Sequence, residues 1–270
     1  MLCTFYAVDK PGRDGGTVSK IRLYLDQLRY ATQNTRRFAH QHYEFFTNFE
    51  RQIASYFDTL AGQRTLDVGC GKLYWFSLLL HSRGAQVTGV DTEVVEPQGS
   101  GLGKYVQLLR HNGLERMLKT WCWDAIYSRR YYDEMRKIVP FSINLGGRDL
   151  RQMDATRLDF PDDTFDLVVS HEVFEHLSDV PAVLSEMHRV MRPGAIAYVY
   201  VHNYTSLSGG HHIRWKYPDS NPPDEVPPWD HLRENQFPEI PSYINRLRLH
   251  EYRQMFEKEF ELLRWRLTKR

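Results

Sequence analysis

Cysteine is scarce in this chain: three in 270 residues, at positions 3, 70 and 122, with no pair at zinc-ligand spacing. That excludes a disulfide framework and a cysteine-based zinc module. No apolar run approaches the roughly 20 residues needed to cross a bilayer, and no charged-then-apolar leader opens the sequence. The expectation is a cytoplasmic protein that does not engage a membrane. An excess of one charge is also missing, since 35 Lys and Arg meet 34 Asp and Glu. This balance argues against a polyanion binder, so nucleic acid is not an expected partner. Internal repeats are absent as well. What remains is a length that suits one elaborated α/β domain with extensions.

Residues 1–17 are Gly-rich and polar. From about Ser19 to Leu60 apolar residues recur every three or four positions, as Ile21, Leu25, Leu28, Phe38, Tyr43, Phe46, Phe49, Ile53 and Phe57, which predicts a helical extension over 1–60. Arg36, Arg37, His40 and His42 fall among them, on either a solvated face or a lid. The pattern then changes to short buried strands alternating with helices over 61–270. Strands are expected at Thr65–Val68, Gln86–Asp91, Leu150–Asp154, Thr164–Ser170 and Ala195–Val201, with helices through Trp75–Leu80 and Val180–Met191. The fold class is therefore α/β, a doubly wound, mostly parallel sheet. Two stretches break the alternation. One is an insert over 92–148, rich in Trp, Tyr and Arg; the other is a Pro-, Trp- and His-rich segment over 202–241, read as a substrate loop.

The turn Asp67-Val68-Gly69-Cys70-Gly71 leaves the first strand directly, and its glycines let backbone approach a ligand. Asp91, about 20 residues on, ends the second strand where ribose hydroxyls would be bound. A nicotinamide fingerprint would need a third glycine, and Lys72-Leu73-Tyr74 stands there instead.

With Leu66-Asp67-Val68-Gly69-Cys70-Gly71, Gly89-Val90-Asp91, Met153-Asp154-Ala155, Asp159 to Asp166, Glu175-His176-Leu177 and Arg189 to Gly194, the chain resembles the class I S-adenosylmethionine-dependent methyltransferases. The resemblance covers about Gln63 to Val201 without the insert. It implies S-adenosylmethionine as cofactor. By that likeness Asp67, Gly69, Cys70 and Gly71 hold the methionine moiety, Asp91 the ribose, Asp154 and Ala155 the adenine, with Ser170 or His171 under the sulfonium. It also implies a helix and two further strands after the fifth. A helix is legible at about Leu249 to Glu259 and one strand at Phe260 to Leu267; the last strand is not found.

A helix starting near His171 or Glu172 would place Glu172, Glu175 and His176 on one face of its first turn, at i, i+3 and i+4. Two carboxylates and an imidazole there suit a divalent cation. Glu-x-x-Glu-His resembles two metal-dependent branches of the superfamily, one acting on RNA ribose 2′-hydroxyls and one on a phenolic hydroxyl in quinone biosynthesis. The reason for a metal is physical: a bound cation stabilises the alkoxide form of a weakly nucleophilic alcohol. Mg²⁺ or Mn²⁺ is the expected ion. His202, His211 and His212 are candidates for a further ligand or the general base, and His171 joins His211 and His212 as a catalytic candidate. Glu175-His176 as a plain structural cap is the competing reading.

The stretch Gly209-Gly210-His211-His212 … Pro227-Pro228-Trp229-Asp230-His231-Leu232 resembles bacterial saccharide-modifying methyltransferases. The expected partner is thus a hydroxylated small molecule or saccharide acceptor, with a homodimer admitted. Quinol or RNA ribose O-methylation and a non-catalytic binding module are the alternatives.

Overall fold

The computed structural model describes residues 25, 28–93, 102–146, 149–211, 227, 229–233 and 243–267; His212 and most of the 202–241 segment lie outside them. The chain divides into two compact units, one ending at Gln152 and one spanning Met153–Arg270.

In the first unit, α1 (Thr35–Ile53) buries Phe38, His42, Phe46, Phe49 and Ile53, a spacing of four, four, three and four that makes one apolar stripe. Strand β1 (Arg64–Val68) pairs in parallel with β2 (Gln86–Asp91), and β2 with β3 (Asp149–Gln152). Between them stands α2 (Trp75–Ser82), whose Phe76 meets Phe46 and Phe49 of α1 edge-on at 6.0 and 5.0 Å. Arg36 and His40 are exposed, whereas His42 is buried. The insert is largely helical: α3 (Leu102–Trp123, kinked at Gly113), a π-helical turn (Asp124–Ser128) and α4 (Arg129–Ile138). Tyr127, Tyr131 and Met135 are fully buried, so this stretch contributes to the core of the unit.

The second unit holds β4 (Phe165–His171), a 3₁₀ turn (Phe174–His176), α5 (Val180–Val190), β5 (Met191–Tyr200), a 3₁₀ turn (Asp230–Leu232) and α6 (Leu249–Glu259). Asp179 caps α5 by accepting from the Ala182 amide, with Pro181 in the first turn. Strands β4 and β5 run parallel. The five strands form a sheet in the order β3-β2-β1-β4-β5, the expected α/β architecture.

Two expected boundaries are corrected. Arg192-Pro193-Gly194 does not separate helix from strand but is an irregularity within β5, the register stepping from Phe165↔Met191 to Leu167↔Ile196. Gly194 has φ 81° there, and Arg192 pairs with Asp166 at 2.7 Å. Phe260–Leu267 carries no strand; its backbone is extended at Phe260 but finds no pairing partner among the described residues. No described helix is long and apolar enough to cross a membrane.

Gly89 in β2 shows how tightly the sheet packs beneath the glycine turn. A Cβ there would lie 2.7 Å from Leu150 Cδ2, 2.9 Å from Ser77 Oγ and 3.0 Å from Cys70 Sγ. Gly89→Ala is expected to cost about 1–3 kcal/mol by overpacking, read as a lower urea midpoint at unchanged m-value.

Candidate functional site

Each unit carries one half of the chemistry legible in the sequence. In the first, β1 delivers the chain into Gly69 (φ 77°), Cys70 and Gly71 (φ 64°). These left-handed conformations explain the glycines. The amides of Gly69 and Cys70 donate to Val90 O at 2.8 and 3.1 Å, tying the turn to β2. The Gly71 amide donates to Asp91 Oδ2 at 3.0 Å and the Glu93 amide to Asp91 Oδ1 at 3.0 Å. Asp91 is therefore fixed at the strand end beside the turn, as a ribose-binding carboxylate requires. Asp67 is buried and accepts from Ser77 Oγ at 2.6 Å; desolvation raises its pKa to about 7. Cys70 is a buried free thiol.

Side chains from the helical layer brace the loop after the turn. Tyr74 sits at φ 36°, a left-handed conformation costly for a non-glycine. Tyr132 OH donates to Leu73 O at 3.1 Å, and Trp75 stacks on His42 at 4.4 Å and 7°. His42 Nδ1 in turn meets Tyr131 OH at 2.6 Å. Beyond the aromatic content of the insert, no local pattern of residues marks this brace.

In the second unit, Ser170 is buried at the end of β4 and His171 stacks on Tyr200 at 4.7 Å and 12°. Asp154 is exposed and closes a turn, accepting from Thr156 N and Oγ1 at 2.9 and 2.8 Å; Ala155 is half-buried. The helix expected to start at Glu172 does not form. Glu172 adopts φ 57° and donates its amide to Tyr200 O, and a single 3₁₀ turn follows over Phe174–His176. The i, i+3, i+4 face thus does not exist, and Glu172 is not among the residues brought together.

Glu175, His202 and His211 are brought together instead. All three are buried, and their ligand atoms lie within 4.8 Å of one another. Neither Glu175 carboxylate oxygen has a hydrogen-bond partner. Burial pushes Glu175 up to about 8, with only weak relief from the backbone of Glu175 and His202. Desolvation, with the neighbouring imidazoles, holds His202 down at about 3 and His211 at about 2. A buried carboxylate without a partner is costly, and beside two neutral imidazoles it fits a divalent cation, which supplies the missing charge. His202 Nε2 lies 2.8 Å from Ser208 Oγ, leaving Nδ1, which has no hydrogen-bond partner, for a ligand. His176 stands beside His211 at 5.2 Å, its Nδ1 held 2.8 Å from Tyr243 O. That carbonyl, an acceptor only, fixes the Nδ1–H tautomer. His212 lies outside the described residues.

Residues the sequence reading passed over hold this cluster. Asn245 donates its amide to Glu175 O at 2.9 Å and its side chain to Phe174 O and Leu177 O at 2.7 and 3.1 Å, while Tyr252 OH donates to its Oδ1. Gly210 has the His231 ring where a Cβ would be, at 2.6 Å. The Gly209-Gly210-His211 and Trp229–Leu232 stretches therefore pack against one another.

A family model described as a methyltransferase domain matches residues 30–260. A phosphatidylethanolamine N-methyltransferase of Cereibacter sphaeroides is 33% identical over 52% of this chain and 51% of its own length. A sterol 24-C-methyltransferase of Gibberella zeae is 29% identical over 57% and 33% respectively. A malonyl-[acyl-carrier protein] O-methyltransferase of Serratia marcescens is 26% identical over 30% and 36%. The chain spans about half or less of these relatives, and their names cover methylation at nitrogen, carbon and oxygen.

Two expectations follow. Asp91→Ala should weaken binding of S-adenosylhomocysteine by roughly 1.5–3 kcal/mol per charged hydrogen bond lost, measured by calorimetry. Asp67 binds a proton in the folded state up to about pH 7 but in the unfolded state only near its ordinary value of 3.8. Its contribution to stability is thus full below that ordinary value and is lost as pH rises toward 7. Asp67→Asn should flatten that part of the stability-versus-pH curve in denaturant titrations.

Proposed function

The chain belongs to the methyltransferase-domain family, and from that premise we propose that it transfers a methyl group from S-adenosylmethionine to a hydroxyl of a saccharide, assisted by a divalent cation. The observation that carries the oxygen-directed reading is the buried Glu175, His202 and His211 set with its unpartnered carboxylate.

Bound S-adenosylmethionine supplies an electrophilic methyl carbon. Gly69 and Gly71 admit its methionine moiety close to backbone, and Asp91 accepts from its ribose hydroxyls. Glu175, His202 and His211 are the residues that would hold the ion, which would supply Lewis acidity toward an acceptor hydroxyl. A set of two imidazoles and one carboxylate suits Mn²⁺ or Zn²⁺ better than Mg²⁺, which prefers oxygen donors. His176, its Nδ1–H donated to the Tyr243 carbonyl, is the imidazole we assign to receive the hydroxyl proton. Burial lowers its pKa, keeping it unprotonated near neutrality. The saccharide assignment draws on the likeness of the Gly209–His212 and Pro227–Leu232 stretches to saccharide-modifying enzymes.

Glu175→Ala is expected to abolish tight Mn²⁺ binding and reduce turnover by at least a hundredfold while S-adenosylhomocysteine affinity stays unchanged. Chelator should suppress transfer and Mn²⁺ restore it, with vicinal diols preferred over isolated hydroxyls. Full activity of protein shown metal-free by elemental analysis would overturn the metal reading.

A further inference from the structure

Helix α3 turns its apolar side outward. Val106, Leu109, Leu114, Leu118 and Trp121 are each 45–58% exposed, although a surface helix ordinarily buries such a stripe. Beyond the π turn that continues it, α3 has no more than marginal contact with any other described element. Packing supplies most of the stability of helices in proteins, so an apolar side left in water implies a surface that covers it.

The kink at Gly113 makes these five side chains into one face. The Tyr105 hydroxyl donates to Asp124 Oδ2 at 3.2 Å. These residues are 19 positions apart, which along a straight helix would separate them by about 28 Å. The non-helical backbone of Gly113 (φ 80°, ψ 170°) therefore folds the two arms of α3 back on each other. The Tyr105–Asp124 contact marks the line along which the arms meet. At about 100° per residue, Val106 and Leu109 stand about 100° and 40° round their arm from that line. Trp121, Leu118 and Leu114 stand about 60°, 120° and 80° round the other arm, in the same sense. In antiparallel helices, displacements of the same sense fall on the same side. The five residues thus form one apolar side of a helical hairpin. It presents roughly 500 Å², near the top of the range for a patch on a monomer.

Charge identifies the occupant. The stretch 102–130 carries six Lys and Arg against two Asp and Glu, a net +4 within a chain of net +1. Its acids are engaged, Glu115 by Lys119 at 2.5 Å and Asp124 by Tyr105 and Ser128. Arg110, four residues after Val106, borders the apolar side, and Arg129 and Arg130 are exposed past its base. A second copy would set this positive charge against itself. The side is also smaller than the roughly 800 Å² per partner of a standard protein interface. Leu and Trp flanked by cationic side chains match the boundary between acyl chains and headgroups of an anionic bilayer. We propose that the Leu102–Trp123 hairpin docks the protein on a lipid surface carrying anionic headgroups. The sequence led to no expectation of membrane contact, because it has no spanning run and its charge balances over the whole chain. A surface hairpin needs neither a span nor an overall excess of charge. The proposal is independent of which acceptor is methylated.

The test is sedimentation of the full chain with vesicles of phosphatidylcholine, alone or mixed with phosphatidylglycerol. Wild type should bind the anionic vesicles with an affinity that falls as salt rises, and phosphatidylcholine alone at least tenfold more weakly. The double variant Leu118→Gln/Trp121→Gln, and separately Arg110→Glu, should each lose at least tenfold in vesicle affinity. Both should melt as wild type does and keep its affinity for S-adenosylhomocysteine. No vesicle binding by wild type, equal binding to both vesicle types, or unchanged binding by the double variant overturns the proposal. So does a lowered melting point of the double variant, since the apolar side would then be packed within the chain. A wild-type dimer that the double substitution converts to monomer in analytical ultracentrifugation also overturns it, assigning the side to a second copy.

Discussion

Glu175 is an acid taken out of water with neither carboxyl oxygen in a completed hydrogen bond, and a group of neighbouring residues holds it there. Carboxylates in protein interiors are almost always paired or hydrogen-bonded. Here the surroundings offer two imidazoles and strong desolvation. The turn that carries Glu175 is one 3₁₀ turn long, too short to hold its own position by helical hydrogen bonds. Asn245 does that instead, binding backbone on both sides of Glu175 and at its carbonyl. Ser208 orients His202, and Gly209 and Gly210 let the His211 loop approach Tyr204 and His231 closely. These contacts keep three potential ligands within reach of one point, and each would be unnecessary if Glu175 were a solvated surface acid.

The first unit solves a different problem. Its glycine turn is tied to β2 by the amides of Gly69 and Cys70 and to Asp91 by that of Gly71, and the loop that follows needs support of its own. The restraint comes from side chains: Tyr132 on Leu73, and Trp75 held against His42, itself fixed by Tyr131. The aromatic side chains of α1, α2 and α4 thus form one connected series through which the helical layer supports the loop. An insert read from composition as irregular is, in its described part, largely helical, and its Tyr131 and Tyr132 support that loop.

Strands β1, β2 and β4 were legible because nearly all their residues are buried, so each reads as a short apolar run between turn residues; Gln86–Asp91 matches to the residue. The glycine turn and Asp91 were legible for a related reason, since positive φ at Gly69 and Gly71 admits few other residues. Glu175, His202 and His211 were picked out together as candidate ligands, in a set that also held Glu172 and His176; Glu172 is the member the structure does not bring to them. Spacing on an assumed helix linked Glu175 to Glu172, and the left-handed backbone at Glu172 breaks that helix before it starts. No local signal marks this, because a non-glycine at positive φ is held there by tertiary contacts, in this case the Glu172 amide on Tyr200 O. Asn245 was invisible for the same reason: its partners lie about 70 residues away. The helices of the insert had a local signal that composition masked, the four-residue spacing of Tyr127, Tyr131 and Met135.

The four histidines near Glu175 are chemically alike in sequence and divided in structure by their hydrogen bonds. His231 Nε2 lies against Tyr204 O and the Tyr204 hydroxyl returns to His231 O, so this imidazole is occupied in holding the loop. Desolvation holds the pKa values of His202 and His211 low, which suits neutral imidazole ligands. His176 differs from both. Its Nδ1 has a carbonyl acceptor, which stabilises the protonated ring and partly offsets its desolvation. His176 is thus set apart from His202 and His211 by the Tyr243 carbonyl, a backbone group whose side chain could be replaced without changing that contact.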